Sequence, residues 1–280
     1  MSETIDQICD LAWDHYKDTR SAAAARSLLK HIRKLKSLDT RDISLWRDKL
    51  SDRYSTNTVR RVMGILRAML TRAQEYGIID KVPKLRLPSS PKGRVGYLTD
   101  EDETALLAAL GPEPGKSPGY YKRWNQEPKH LVAFLLDTGM RAGEALGWGG
   151  RVTDSPRGPM ITLEKTKTDR ARTIPLTDRA AEIAKHYPRG FRMDYRQFYK
   201  HWQRARKQLG HEGNKLWVPH LLRHTFASRL AQRGAPIAVI SQLLGHQSLE
   251  QTMVYSHLSL DCLQQSIDLI RGDEGGSGDT

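Results

Sequence analysis

The sequence predicts a mainly α-helical fold of two domains, with a small β-sheet or hairpin in the second one. Three observations lead to this fold class. Apolar residues recur at helical spacing through residues 5–79, a basic, proline-rich stretch interrupts the pattern over residues 83–96, and the period shortens towards alternation within residues 160–176. A chain of 280 residues is also long enough for two domains that each bury a core.

The first predicted domain, residues 1–82, has helical patterning. Its two clearest apolar stripes have the three- and four-residue spacing of a helix face that packs on a core. We therefore expect several short helices packed together in this part of the chain. The stripes are formed by Leu28, Leu29, Ile32 and Leu35, and by Val62, Ile65, Leu66, Met69 and Leu70.

Residues 83–96 are predicted to form a basic linker, because three prolines and four lysines or arginines replace the helical pattern there. The second domain, residues 97–271, follows. Its first helix is expected to be capped by Thr99, since acidic residues fill the turn after it. Within this domain the alternation over residues 160–176, around a charged tip, predicts the β-hairpin. The polar, glycine-rich residues 272–280 are expected to be disordered.

The charge of the chain favours a polyanionic partner. Lys and Arg number 45 against 32 Asp and Glu, for a net charge of +13, as is typical of nucleic-acid binders. The longest strongly apolar run, residues 131–136, is too short to cross a bilayer, and the N-terminus does not resemble a signal peptide. Cys9 and Cys262 lie near opposite ends, which argues against a disulfide scaffold. We expect a soluble cytoplasmic protein without membrane association.

Separate segments carry side chains suited to attack on a phosphodiester. A tyrosine needs help to act as a nucleophile, because the pKa of its phenol is near 10. Arginine donates two parallel hydrogen bonds to a phosphate and keeps its charge, so two guanidiniums could neutralise the phosphate as a metal ion does elsewhere. The sequence offers Arg141, His220, Arg223, His246 and Tyr255 for these tasks.

These residues lie in motifs that, in order and spacing, resemble the tyrosine recombinases of the phage-integrase family. Residues 55–61 and the helix after them also resemble the core-binding domain of that family, so the similarity covers most of the chain. The resemblance implies a helical, SAM-like DNA-binding domain in residues 1–82 and the catalytic domain in residues 97–271. The motifs are Thr138-Gly139-Met140-Arg141 with Glu144, Lys167 on the hairpin, His220 with Arg223, Leu244-Gly245-His246, and Tyr255.

The resemblance implies a site-specific recombinase that cleaves and rejoins DNA through a 3′-phosphotyrosyl intermediate, without metal or cofactor. Tyr255 would attack the phosphate, while Arg141 and Arg223 would hold its non-bridging oxygens. His246 would add a hydrogen bond to the same phosphate. His220 would accept the proton or serve as a hydrogen-bond partner.

The resemblance also assigns Lys167 as the general acid for the departing 5′-oxygen, through the segments around it, Thr166-Lys167-Thr168-Asp169 and Thr173-Ile174-Pro175. Lys165 shares the charged hairpin and stays an alternative.

The implied partners are double-stranded DNA, a homotetramer that joins two DNA sites, and accessory proteins that bend DNA or set the direction of reaction. The expected setting is the nucleoid, or the host cytoplasm if a phage encodes the protein. Integration or excision of a phage or mobile element is the expected role. Large phage integrases carry a further arm-binding domain, whereas core-binding-like helices begin almost at Met1 here. A compact integrase and a Xer-like resolvase therefore both fit.

Other interpretations use the same residues differently. Residues 229–255 could form the helix-turn-helix of a non-enzymatic regulator, and a type IB topoisomerase shares much of the chemistry. Arg141 and Glu144 could form an ordinary ion pair on one helix face. His220 and His224 have the spacing of a zinc pair, but the Glu that follows the first His in that motif is missing. We therefore expect His224 to support the fold.

Overall fold

The computed structural model describes most of the chain, in two compact units that comprise residues 1–93 and 94–280. In the part of the chain so described, no helix combines the length and apolarity that crossing a bilayer requires. The described residues are 2–16, 26, 29–30, 32–33, 39–89, 96–111, 126–164 and 171–258.

The first unit contains α1 (Ser2–Tyr16), α2 (Thr40–Ser51) and α3 (Thr56–Glu75). Asp39 and Ser55 cap α2 and α3, each accepting a hydrogen bond from a backbone N–H of the first turn. Short side chains with an oxygen are favoured at this position because the first N–H groups of a helix have no partner within it.

The apolar stripes predicted for this unit face its core. Leu29 and Ile32, the described members of the first stripe, are buried. In the second stripe the buried residues are Leu66, Met69 and Leu70, and Val62 and Ile65 pack against the core while partly exposed.

Residues 83–89 of the predicted linker lie against the first unit. Leu85 is buried in the core of that unit. Side chains of α2 and α3 also donate hydrogen bonds to backbone carbonyls of the segment, through Arg47, Arg60 and Arg67. Composition did not predict this attachment, because it depends on one buried leucine among prolines and cations. The functional assignment of the domains stays a prediction.

The second unit is mainly helical with one small sheet, which confirms the predicted fold class. Thr99 caps its first helix, as predicted, and Asp102 caps Thr99 in return. The elements are α4 (Asp100–Ala109), α5 (Glu127–Thr138), α6 (Ala142–Leu146), β1 (Thr153–Ser155), β2 (Gly158–Leu163), β3 (Arg172–Pro175), α7 (Asp178–His186), α8 (Tyr195–Gln208), α9 (His220–Gln232), α10 (Ile237–Leu244) and two 3-10 helices, Leu249–Gln251 and Met253–Leu258.

The sheet has the order β1-β2-β3, with both pairs antiparallel. Strands β2 and β3 confirm the predicted hairpin. Ile161 and Ile174 lie opposite each other in it and are both buried. Strand β1 was not predicted, because three residues are too few to show alternation.

Helix α5 lies at the centre of the second unit, which explains its apolar run over residues 131–136, all of them buried. Around it, Phe134 contacts Trp148 and Phe191, with ring centroids 5.2 and 5.5 Å away. Because α5 also packs on α9, the residues that follow α5 are placed beside α9. Both segments carry predicted site residues.

Candidate active site

Arg141 lies just after α5, in the backbone that leads into α6. Glu144 holds it in two ways: its carboxylate accepts the backbone N–H of Arg141 at 2.8 Å and the guanidinium at 3.1 Å. The same carboxylate accepts a hydrogen bond from Arg172 of β3 at 2.7 Å. Arg141 keeps 35% of its side chain exposed, against 3% for Arg172. Glu144 thus fixes Arg141 while leaving it accessible to a ligand.

Arg223 lies in the second turn of α9 and is 1% exposed. Its guanidinium donates to the carbonyl oxygens of Gly139 at 3.0 Å and Leu244 at 2.5 Å. One side chain therefore connects the segment that carries Arg141 with the end of α10, immediately before Gly245 and His246. This is how the fold brings three of the predicted motifs together.

Gly139 ends α5 in the left-handed conformation, with φ of 62°. A Cβ atom at this position would overlap the ring of Phe226. We expect Gly139→Ala to lower the free energy of unfolding by about 2 kcal/mol or more, because left-handed strain alone costs about 1–2 kcal/mol. Urea unfolding measures this loss. Gly143→Ala is the matched control, since a Cβ at Gly143 meets nothing within 4 Å; an equal loss in both variants would contradict the argument.

His246 follows Gly245, which ends α10 with φ of 71°. The Nδ1 atom of His246 lies 2.8 Å from the hydroxyl of Thr252, a fully buried residue. This hydrogen bond orients the ring and leaves Nε2 as the nitrogen that can address a phosphate. The sequence motif gives no indication of Thr252, which lies in the turn between the two 3-10 helices.

Tyr255 lies in the second 3-10 helix and is 2% exposed. Its ring packs in a small cluster with Ala227, Ala231, Ile240 and Leu244. Its hydroxyl lies 2.6 Å from Nδ1 of His224, a contact that the sequence analysis missed.

His220 and His224 share one face of α9, with their rings perpendicular and the centroids 4.8 Å apart. His220 is exposed, whereas His224 lies deeper and contacts Tyr255. Within the described residues, no three histidine, cysteine, aspartate or glutamate side chains form a group that could hold a metal ion.

The protonation states follow from desolvation and from the two arginines. Desolvation, with the Arg223 and Arg141 charges as smaller causes, lowers the pKa of His246 to about 4. The pKa of His224 falls to about 4 through desolvation, helped by His220 and Arg223. Burial raises the pKa of Tyr255 to about 12. At neutral pH the phenol of Tyr255 is therefore protonated, and the imidazoles of His224 and His246 are neutral.

The pKa of His220 is lowered by the same kinds of effect. Partial desolvation lowers its pKa although the side chain still meets solvent, and the charges of Arg223 and Arg141 lower it further. The charges of Arg223 and Arg141 thus lower the pKa of both His220 and His246.

Lys167 and its alternative Lys165 lie outside the described residues, between β2 and β3. The structure also describes other tyrosines of the second unit. The hydroxyl of Tyr187 lies 3.0 Å from Nδ1 of His130. Tyr195 and Tyr199 are exposed and stacked on α8.

Known proteins are similar to this chain in sequence and in fold. The phage integrase family model matches residues 98–261. The integrase of Escherichia phage P2 is 33% identical over 181 residues, which cover 64% of this chain and 48% of that protein. Tyrosine recombinase XerA of Saccharolobus solfataricus is 32% identical over 139 residues, covering 49% of this chain and 47% of its own length. The chain therefore matches about half the length of each of these relatives.

One longer match and one solved structure extend the comparison over both units. Tyrosine recombinase XerC of Brucella suis is 26% identical over 259 residues, covering 86% of this chain and 79% of that protein. The Tn1549 transposon integrase, solved in complex with a circular intermediate DNA, covers 95% of this chain and 99% of its own, with a TM-score of 0.69 and 17% identity. That structural likeness shows the shared fold. Because the family model spans more than half of its residues, the chain belongs to the phage integrase family.

Proposed function

We propose that the protein is a site-specific DNA recombinase that cleaves and rejoins strands through a 3′-phosphotyrosyl intermediate. One observation carries the proposal: buried Arg223 is bonded to Gly139 and Leu244, so the Arg141 and His246 segments meet at the helix against which Tyr255 packs. In the proposed site, the two cations, the neutral imidazole and the phenol act on one phosphate.

The chemistry follows from these groups. The Oη atom of Tyr255 attacks phosphorus, and the 5′-oxygen leaves. Arg141 and Arg223 stabilise charge on the non-bridging oxygens, and His246 donates a hydrogen bond from Nε2. Lys167 serves as general acid for the 5′-oxygen. Attack by a 5′-hydroxyl of another strand reverses the step and exchanges strands.

The proposal is tested with a duplex that carries a nick just 3′ of the cleavage site, so that the short released fragment with the new 5′-hydroxyl diffuses away and the adduct is trapped. We expect a protein–DNA band that survives denaturation in detergent. Attachment at the 3′ end, checked by 5′-labelling the retained strand, distinguishes this enzyme from a helix-turn-helix regulator, which forms no adduct. Relaxation of supercoils without strand exchange would instead favour a type IB topoisomerase.

Thr252 supports His246 in this scheme, and its hydroxyl is the group to remove. We expect Thr252→Val to reduce single-turnover cleavage by about 10-fold or more, because a misplacement of a catalytic group by about 1 Å can cost about 100-fold in rate. Thr252→Ser keeps the hydroxyl and is the control. Equal rates for the two variants would show that this hydrogen bond does not orient His246.

The assembly and setting follow from the proposed reaction. Strand exchange between two duplexes requires four nucleophiles, so we propose a homotetramer on two double-stranded DNA sites, with accessory proteins that bend DNA or set direction. Such an enzyme acts at the nucleoid, in the cytoplasm of the cell that carries its target. Integration or excision of a phage or mobile element is the proposed role, with Xer-like resolution as the alternative.

A further inference from the structure

The contact between His224 and Tyr255 has no assigned role in the proposed reaction. The Nδ1 atom of His224 lies 2.6 Å from the Tyr255 hydroxyl. The ring centroids lie 5.9 Å apart at an angle of 50°, so the contact is made through the polar atoms and not by stacking. The nucleophile thus already touches a nitrogen base in this protein.

The direction of this hydrogen bond follows from acid–base chemistry. A phenol is a stronger acid than the N–H of a neutral imidazole, and an imidazole nitrogen is a stronger base than a phenol oxygen. The favoured arrangement has the Tyr255 O–H donating to Nδ1 of His224, with the imidazole proton on Nε2. This is the arrangement from which a base removes a proton.

The two histidines of α9 differ in position. His220, at the start of the helix, is exposed and can meet a phosphate that arrives from solvent. His224, one turn later, is the imidazole that contacts the Tyr255 hydroxyl. The geometry therefore separates a phosphate ligand from a proton acceptor.

We propose that His224, and not His220, accepts the proton of Tyr255 during DNA cleavage; this rests on the proposed recombinase function. As the Oη–phosphorus bond forms, the O–H proton moves to Nδ1 of His224. The electron pair of the breaking phosphorus–oxygen bond departs with the 5′-oxygen, which takes a proton from the general acid or from water. In rejoining, the imidazolium returns its proton to Tyr255 as the phosphotyrosyl bond breaks.

The surrounding charges link this step to DNA binding. Without DNA, desolvation is the main cause that lowers the pKa of His224, and the charges of His220 and Arg223, both on α9, lower it further; the Tyr255 hydroxyl of the 3-10 helix faces the same ring. A bound phosphodiester brings a negative charge beside Arg223 and offsets its effect. The scissile phosphate therefore reduces the part of the pKa lowering that comes from Arg223, while the part that comes from desolvation remains.

The first test uses single-turnover cleavage of the nicked duplex by His224→Asn, which keeps a hydrogen-bonding group near Nδ1 but no basic nitrogen. We expect cleavage to fall by about 100-fold, within the range for general base catalysis, while DNA affinity stays unchanged. A rate within about threefold of the unmodified protein overturns the proposal. If the unmodified protein forms no adduct at all, the recombinase function itself fails.

The second test separates proton transfer from positioning. Without a base, cleavage depends on the phenolate fraction, which grows tenfold per pH unit below the phenol pKa. The deficit of His224→Asn should therefore shrink as pH rises from 7 to 9, whereas that of His220→Asn should stay constant. A deficit of His224→Asn that does not change with pH assigns His224 to positioning alone and overturns the proposal.

The third test concerns the leaving group. A 5′-bridging phosphorothioate has a thiolate leaving group that needs no general acid, so it should not restore cleavage by His224→Asn. Restoration would place His224 on the leaving-group side and overturn the proposal.

Nitrogen NMR of the unmodified protein gives a readout that does not depend on how a variant folds. We expect Nδ1 of His224 to carry no proton at neutral pH; a protonated Nδ1 would contradict the assignment.

Discussion

Tyr255→Phe is expected to abolish the covalent DNA adduct while DNA binding persists. The substitution removes the one oxygen that would attack phosphorus and keeps the ring that packs with Ala227 and Leu244. The Tyr255 hydroxyl bonds to His224, and losing one such hydrogen bond costs about 1 kcal/mol of unfolding free energy. The variant should therefore fold, bind and fail to cleave.

The measurement combines the nicked duplex assay with gel-shift affinity and urea unfolding. Tyr199→Phe is the matched control, because Tyr199 lies in the same unit and is 39% exposed; it should form the adduct at the normal rate. An adduct formed by Tyr255→Phe would refute the nucleophile assignment. Loss of DNA binding together with cleavage would point to a structural role for the hydroxyl.

The helices could be predicted from the sequence because the apolar spacing of a helix face and the residues of a helix cap lie close together along the chain. Thr99 has an acidic first turn after it, and the apolar run of residues 131–136 is long enough to indicate a buried segment. The attachment of residues 83–89 could not be predicted in this way. It depends on Leu85 entering a core that distant helices build.

The contact between His224 and Tyr255 shows why part of the site lay beyond sequence reasoning. Helical spacing places His224, Ala227 and Ala231 on one face of α9. The two alanines are small enough for the 3-10 helix to approach, and this approach brings the Tyr255 hydroxyl to Nδ1. The spacing of His220 and His224 was visible in the sequence, but its tertiary partner was not.

The hydrogen bonds of Arg223 could not be predicted from the sequence for the same reason, because they too depend on tertiary contacts. An H-x-x-R motif identifies a guanidinium at a helix start, yet its two carbonyl acceptors lie in segments far away along the chain. The motif therefore predicted a phosphate ligand, and the structure adds a tertiary connection through the same side chain.

Arg223→Ala and Arg141→Ala are expected to reduce the rate of cleavage to a similar extent. Their effects on the free energy of unfolding should differ. Each removes a cation from the proposed phosphate site, so each should reduce single-turnover cleavage by about 10²–10³-fold. Arg223 is 1% exposed, and its loss withdraws buried donors from the carbonyls of Gly139 and Leu244. We expect Arg223→Ala to lower the free energy of unfolding of the protein by about 3 kcal/mol or more.

Arg141 is 35% exposed and bonded to Glu144, which also binds Arg172. Arg141→Ala should therefore change the free energy of unfolding by no more than about 1 kcal/mol, as measured by urea unfolding. Arg223→Lys gives the sharper comparison, since one ammonium keeps the charge but lacks the planar fork that reaches both carbonyls. If Arg223→Lys restores stability and cleavage together, charge alone explains Arg223. If it restores neither, the fork that joins the Arg141 segment to the His246 segment is what the reaction requires.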